Sequence, residues 1–161
     1  MKTRISFGKS MRTMLMCVSL SGLMIAGCNK DDNVPNNTPY TVSGNASGAQ
    51  VVPGVTGTGT GTITGTYNPA DSTFTYTSTW SGLSGAPING GFYQGASGTT
   101  GTAVGTPWTF PDGSTGTGTL SGSMTLTSDQ AASLTSGGWY YSYGTAAYPG
   151  GEIRGQISAT R

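Results

Sequence analysis

The chain alternates. In Thr73–Trp80 (TFTYTSTW), Phe74, Tyr76 and Trp80 fall on one side and Thr73, Thr75, Thr77 and Thr79 on the other, because successive side chains of a strand point to opposite faces. The same period runs through Thr62–Tyr67 (TITGTY), which sets Ile63 with Tyr67, and through Thr119–Thr127 (TLSGSMTLT), which sets Leu120 with Met124 and Leu126. Near the end, Ile153 and Ile157 alternate with Glu152, Arg154 and Gln156. Strands with one apolar face need a second layer to cover it. The sequence therefore predicts an all-β, Greek-key β-sandwich. Asn68–Ser72 (NPADS) is a turn that joins two strands into a hairpin, and Pro111-Asp112-Gly113 is another turn. One short helix is expected: Ser128 as its cap, Asp129 in its first turn, then Ala131, Ala132 and Leu134, with Gly137-Gly138 as the stop. Gly54–Gly61 (GVTGTGTG) is read as strand or strand edge, because Thr favours strands and the pattern runs into Ile63.

The first residues follow a different logic. Lys2, Arg4, Lys9 and Arg12 precede an apolar stretch, Met14–Ala26, that is too short for a permanent membrane span. It ends in Ile25-Ala26-Gly27-Cys28, which resembles a bacterial lipobox. Residues 1–27 are thus expected to be a lipoprotein signal peptide. Cys28 becomes the acylated first residue, 28–39 a polar tether, and 40–161 the folded domain. The lipid makes the membrane a partner and places the domain in the cell envelope, on the outer membrane. The run Cys28-Asn29-Lys30-Asp31-Asp32 also resembles a signal for display at the cell surface. Without the leader, Lys30, Arg154 and Arg161 face Asp31, Asp32, Asp71, Asp112, Asp129 and Glu152. A mildly acidic domain without a basic patch excludes nucleic acid as a partner. Cys17 lies in the leader and Cys28 is lipidated, so no disulfide forms within the domain.

Chemistry is restricted as sharply as structure. The chain has no His. With neither His nor a free Cys, the usual nucleophile–base pairs and transition-metal sites lack their side chains. No catalytic residue, metal or cofactor is expected. Asp71, Asp112 and Asp129 sit at turns or a helix start, where carboxylates accept backbone hydrogen bonds. Glu152 and Arg154 follow the turn Pro149-Gly150-Gly151. Two residues apart on a strand, they share a face. With Ile153 and Ile157 inward, they are expected to point outward or towards a neighbouring strand, pairing or pinning register. The better functional lead is Trp139–Tyr143 (WYYSY), which shows aromatics on both faces of its strand. One set, either Trp139, Tyr141 and Tyr143 or Tyr140, is expected to be exposed to a glycan or an envelope protein; the alternative is that these rings seal the sandwich edge.

Several segments together resemble one family. They are Ser47–Pro53 (SGAQVVP), the Thr-rich hairpin ending Trp80–Gly85 (WSGLSG), Leu120–Leu126, the short helix, and the closing Tyr148–Ile157 (YPGGEIRGQI). In that order they resemble the chordin (CHRD) domain family. The resemblance implies an immunoglobulin-like or superoxide-dismutase-like sandwich, with Pro149, Gly150, Gly151, Glu152 and Arg154 as its structural motif. It also implies three histidines, and here Gly91, Tyr93 and Gly144 stand in their places. If those histidines act together in relatives, the three positions should lie close, in a shallow pocket at the mouth of the sandwich rimmed by Tyr93 and Tyr143. The expected function is a lipid-anchored envelope protein with a non-catalytic binding or structural domain. The alternatives are a dismutase-like, metal-dependent enzyme with a degenerate site, and a carbohydrate-binding module using Trp139, Tyr141, Tyr143 and Tyr93.

Overall fold

The computed structural model describes residues 37–161. The expected signal peptide, the expected lipidation at Cys28 and the expected tether up to residue 36 fall outside the described residues. The domain contains nine strands: β1 Tyr40–Ser47, β2 Thr60–Asn68, β3 Thr73–Ser81, β4 Pro87–Gln94, β5 Thr102–Val104, β6 Gly118–Thr125, β7 Trp139–Thr145, β8 Ile153–Gln156 and β9 Ser158–Thr160. A single helix, α1, spans Ser128–Thr135, and a 3-10 turn spans Gly48–Gln50. The protein is all-β with one short helix, as the alternation predicts.

The strands form one sheet in the order β5-β4-β7-β8-β1-β2-β3-β6, with β9 beside β1. The pairings are antiparallel. The two layers of the expected sandwich are the two halves of this sheet, joined where β1 meets β8 through the single pair Ser47↔Arg154. The sheet curls until its halves face each other. Phe74 on β3 meets Phe92 on β4 at 5.5 Å between ring centroids, and Trp80 on β3 meets Tyr143 on β7 at 5.2 Å. The Tyr143 hydroxyl donates to Ser78 Oγ at 2.7 Å in the buried interior. Both groups are fully buried, so this bond satisfies two polar atoms that would otherwise each carry a desolvation cost.

Local chemistry explains most element ends. The β2–β3 hairpin turns at Asn68–Ser72, where Asn68 Oδ1 accepts from the Ala70 amide and Asp71 Oδ1 from the Thr73 amide. Helix α1 is capped one residue earlier than expected. Thr127, not Ser128, accepts from the Gln130 amide, while Gln130 Oε1 accepts from the Thr127 amide. This is a reciprocal capping box, and the hydroxyl that has a Gln three residues on wins. Gly137 ends the helix with φ +77. Strand pairing starts only at Thr60, so 54–59 are not strand, contrary to the expectation for Gly54–Gly61. That stretch alternates glycine with threonine and supplies no large side chain to bury, so threonine propensity alone does not hold it in the ladder.

The glycine content has a structural use: aromatic rings lie on glycine backbone. Gly118 pairs with Trp80 and Gly122 with Tyr76 across β3–β6. A Cβ at Gly118 would run into the Trp80 indole, and one at Gly122 into the Tyr76 ring. Gly44 and Gly155 likewise receive the edge of Tyr141. Large rings bury most area per residue, and a partner without a side chain lets them lie flat on the sheet. Substituting Gly118→Ala should destabilise the domain by about 1–3 kcal/mol, because one methyl overpacks a buried indole already fixed by its bond to the Thr115 carbonyl. Gly57, with nothing within 4 Å of its would-be Cβ, is the control; Gly57→Ala should stay within about 0.5 kcal/mol. Urea unfolding followed by tryptophan fluorescence checks both.

Candidate functional site

Strands β4, β7 and β8 are neighbours, and their outward residues meet on one face. Register places Gly91 opposite Ser142, Tyr93 opposite Tyr140 and Asn89 opposite Gly144 on β4–β7. On β7–β8 it places Ser142 opposite Arg154 and Tyr140 opposite Gln156. Tyr140 is the centre. The Tyr93 ring stacks on it at 5.1 Å and 12°, and the Arg154 guanidinium lies 3.5 Å from its centroid. Tyr93 reaches Tyr140 from β4 and Arg154 from β8, so three adjacent strands contribute one ladder of stacked planar groups. Beside it lies an open pocket of about 380 Å³. Its lining includes Val51, Val52, Asn89, Tyr93, Ser142 and Pro149, together with Tyr140 and Arg154.

The two charges of the closing motif, expected to point outward or towards a neighbouring strand, are both buried: Glu152 is 3% and Arg154 4% exposed. They do not pair with one another. Each holds a different loop. Glu152 turns to one end of the sandwich, where Oε1 accepts from the Ser84 amide at 2.7 Å and Oε2 from the Ser84 and Thr145 hydroxyls at 2.6 and 2.5 Å. This fixes the β3–β4 connection. Arg154 lies on the outer face and donates to the Thr99 and Ala96 carbonyls at 2.7 and 2.8 Å, which fixes the β4–β5 connection over Tyr140. The alternation argument failed at Glu152 because Gly151, with φ +127, breaks the strand geometry just before it. Burial works to raise the Glu152 pKa. Hydrogen bonds from the Ser84 and Thr145 side chains and the Ser84 amide outweigh burial and hold the carboxyl below its usual range.

The aromatic run is also placed differently. Trp139, Tyr141 and Tyr143 are fully buried and Tyr140 is 5% exposed, so neither set is exposed. Strand β7 lies inside the sheet, its inner face on the core and its outer face under Arg154 and the 95–101 loop. Of the residues expected to touch a ligand, only Tyr93 lines the pocket; Trp139, Tyr141 and Tyr143 do not. Burial, first of all, and the neighbouring Tyr140 raise the Tyr93 pKa, so its hydroxyl stays protonated at neutral pH.

Gly91, Tyr93 and Gly144 lie on adjacent strands of one sheet. Gly91 and Tyr93 are two apart on β4, and Gly144 is two residues from Ser142, the partner of Gly91. Gly91 and Gly144 are thus diagonal neighbours, about 7–8 Å apart, whereas Tyr93 pairs with Tyr140, four residues from Gly144. The three share the outer face rather than the mouth of the sandwich, and the pocket is rimmed by Tyr93 and Tyr140, not Tyr143. The space above Gly144 is taken by the Asn89 side chain, which donates from Nδ2 to the Pro149 carbonyl at 2.9 Å. Asn89, Ser142, Val51 and Val52 were not expected from the sequence to touch a ligand; Asn89 and Ser142 face Gly144 and Gly91 across β4–β7.

These features define a class: a curled all-β sandwich with polar and aromatic side chains gathered beside a pocket on the outside of β4-β7-β8. The chain matches the CHRD domain family over residues 42–157 and belongs to that family. No curated protein and no solved structure shows significant similarity to it.

The Glu152 site gives a pH test. A carboxyl whose folded pKa is lowered contributes stability that is present above its unfolded pKa, about 4.3, and lost as pH falls through the folded value. Glu152→Gln should therefore cost about 2 kcal/mol at neutral pH, and the gap from wild type should close as the medium is acidified below that range. Thermal melts across pH check this; a gap independent of pH would mean the carboxylate charge is not what Ser84 and Thr145 recognise.

Proposed function

We propose that this chain is a lipid-anchored cell-envelope protein whose CHRD domain binds a ligand without transforming it, through the pocket on β4-β7-β8. The observation that carries the reading is the lining itself. It combines the Tyr93 ring and the apolar Val51 and Val52 with the Asn89 amide and the Ser142 hydroxyl. An aromatic face beside a few fixed amide and hydroxyl groups suits a sugar ring, so the ligand class is an envelope glycan. Where the family resemblance calls for histidine this chain has Gly91, Tyr93 and Gly144, of which Tyr93 lines the pocket, and Arg154 brings a positive charge to the lining; that donor set favours a hydroxyl-rich ligand over a metal ion. The anchor follows from the basic, apolar leader ending in Ile25-Ala26-Gly27-Cys28.

Two experiments separate the parts of this reading. Cys28→Ala should shift the protein from the membrane fraction to the soluble fraction or leave it unprocessed; wild-type protein that fractionates as soluble with an intact leader would refute the anchor. On a glycan array, the wild-type protein should bind a restricted set of sugars. Tyr93→Ala should weaken that binding about tenfold or more, on the scale of a lost aromatic stacking contact. Wild-type protein that binds none of the sugars, or binding untouched by Tyr93→Ala, would refute the pocket.

A further inference from the structure

Strand β6 ends the sheet. Its sheet partner is β3, and nothing within the described residues pairs with its other edge. The opposite end is β5, which has three residues; β6 has eight. Exposed edges of that length are ordinarily blunted by a charge, a proline or a bulge, because their free N–H and C=O groups accept another strand. From Gly118 to Thr125 (GTLSGSMT) there is no charge and no proline, and the pairing with β3 runs without a register shift from Thr125 to Gly118. A groove of about 450 Å³ separates this strand from the 105–109 segment and is floored in part by Trp108.

The sequence of the edge suits its own copy. An antiparallel pair related by a two-fold axis at Gly122 sets Leu120 opposite Met124, Ser121 opposite Ser123 and Thr119 opposite Thr125. Leu120 and Met124 are the inward, half-buried residues of β6, and Thr119, Ser121, Ser123 and Thr125 its exposed ones. Like thus meets like on both faces. The outer hydroxyl pairs would continue the ladder already present inside the sheet, where Thr62 meets Thr79 at 2.7 Å and Thr77 meets Ser121 at 2.8 Å. Moving the axis one residue, to Ser121, sets Leu120 against Gly122 and loses the apolar match. We propose that β6 is a homodimerisation edge, and that two copies of this chain join their sheets antiparallel across Gly122.

Charge placement tests the register as well as the contact. In the full chain, Ser121→Lys combined with Ser123→Lys brings four ammonium groups into one seam, and dimerisation should weaken by about tenfold or more. Ser121→Glu combined with Ser123→Lys sets opposite charges across the same seam and should restore the dimer. Sedimentation equilibrium from micromolar to millimolar protein reads the mass, and far-ultraviolet circular dichroism melts confirm that each variant is folded. The recovered Glu–Lys variant also shows that the strand tolerates substitution at both positions. A wild-type chain that stays monomeric across this range, a dimer indifferent to the paired lysines, or a Glu–Lys variant that remains folded but monomeric would each overturn the proposal.

Discussion

The structure depends on large rings lying flat against glycine. Phe74, Phe92, Trp80, Trp108, Trp139, Tyr141 and Tyr143 fill a core shared by both halves of the curled sheet. Offset and edge-on contacts link them, as in Tyr76 against Phe92 at 4.7 Å and 86°. Rings of that size bury the area a small domain needs, yet two facing layers of bulky residues would force the halves apart. Gly118, Gly122, Gly44 and Gly155 remove the side chain where a neighbouring strand brings a ring. The cost is the greater conformational freedom those residues lose on folding. Aromatic area and hydroxyl ladders on the outer face offset it.

The closing strand turns this packing into a defined surface. Four residues long, β8 carries Ile153 into the core, while the flanking Glu152 and Arg154 tie down two loops that come from distant parts of the chain. Both charges are desolvated, and each is answered by fixed hydrogen bonds rather than by the other. An unmet buried charge is costly, so the loops that supply those bonds are held as firmly as the charges. The β4–β5 loop is thereby pinned over Tyr140, and the pocket beside it gains a fixed wall.

The same arrangement sets the surroundings of Gly91, Tyr93 and Gly144. Gly91 stands between the other two because strand register, not side-chain chemistry, sets their spacing. Asn89 occupies the space beside Gly144 and donates to the Pro149 carbonyl, so the closing turn and the pocket share one contact. An amide, a phenol and a guanidinium thus stand around these positions.

Period-two alternation by itself determined β2, β3, β6 and β8, their inward residues and the hairpin at Asn68–Ser72, because local geometry forces successive side chains to opposite faces. The closing motif was likewise legible as family and as structure. The sequence did not determine which outward residues stay outward. Glu152 and Arg154 read as outward or strand-facing, and Tyr140 or its neighbours read as a ligand surface, because alternation distinguishes two faces of a strand and is blind to what later covers either one. That was decided by tertiary structure: the curl of one continuous sheet, the position of β7 inside it, and two loops drawn across its outer face by buried charges. Burial depends on contacts between residues such as Arg154 and Thr99, 55 positions apart in the chain, and no local pattern encodes a contact at that distance.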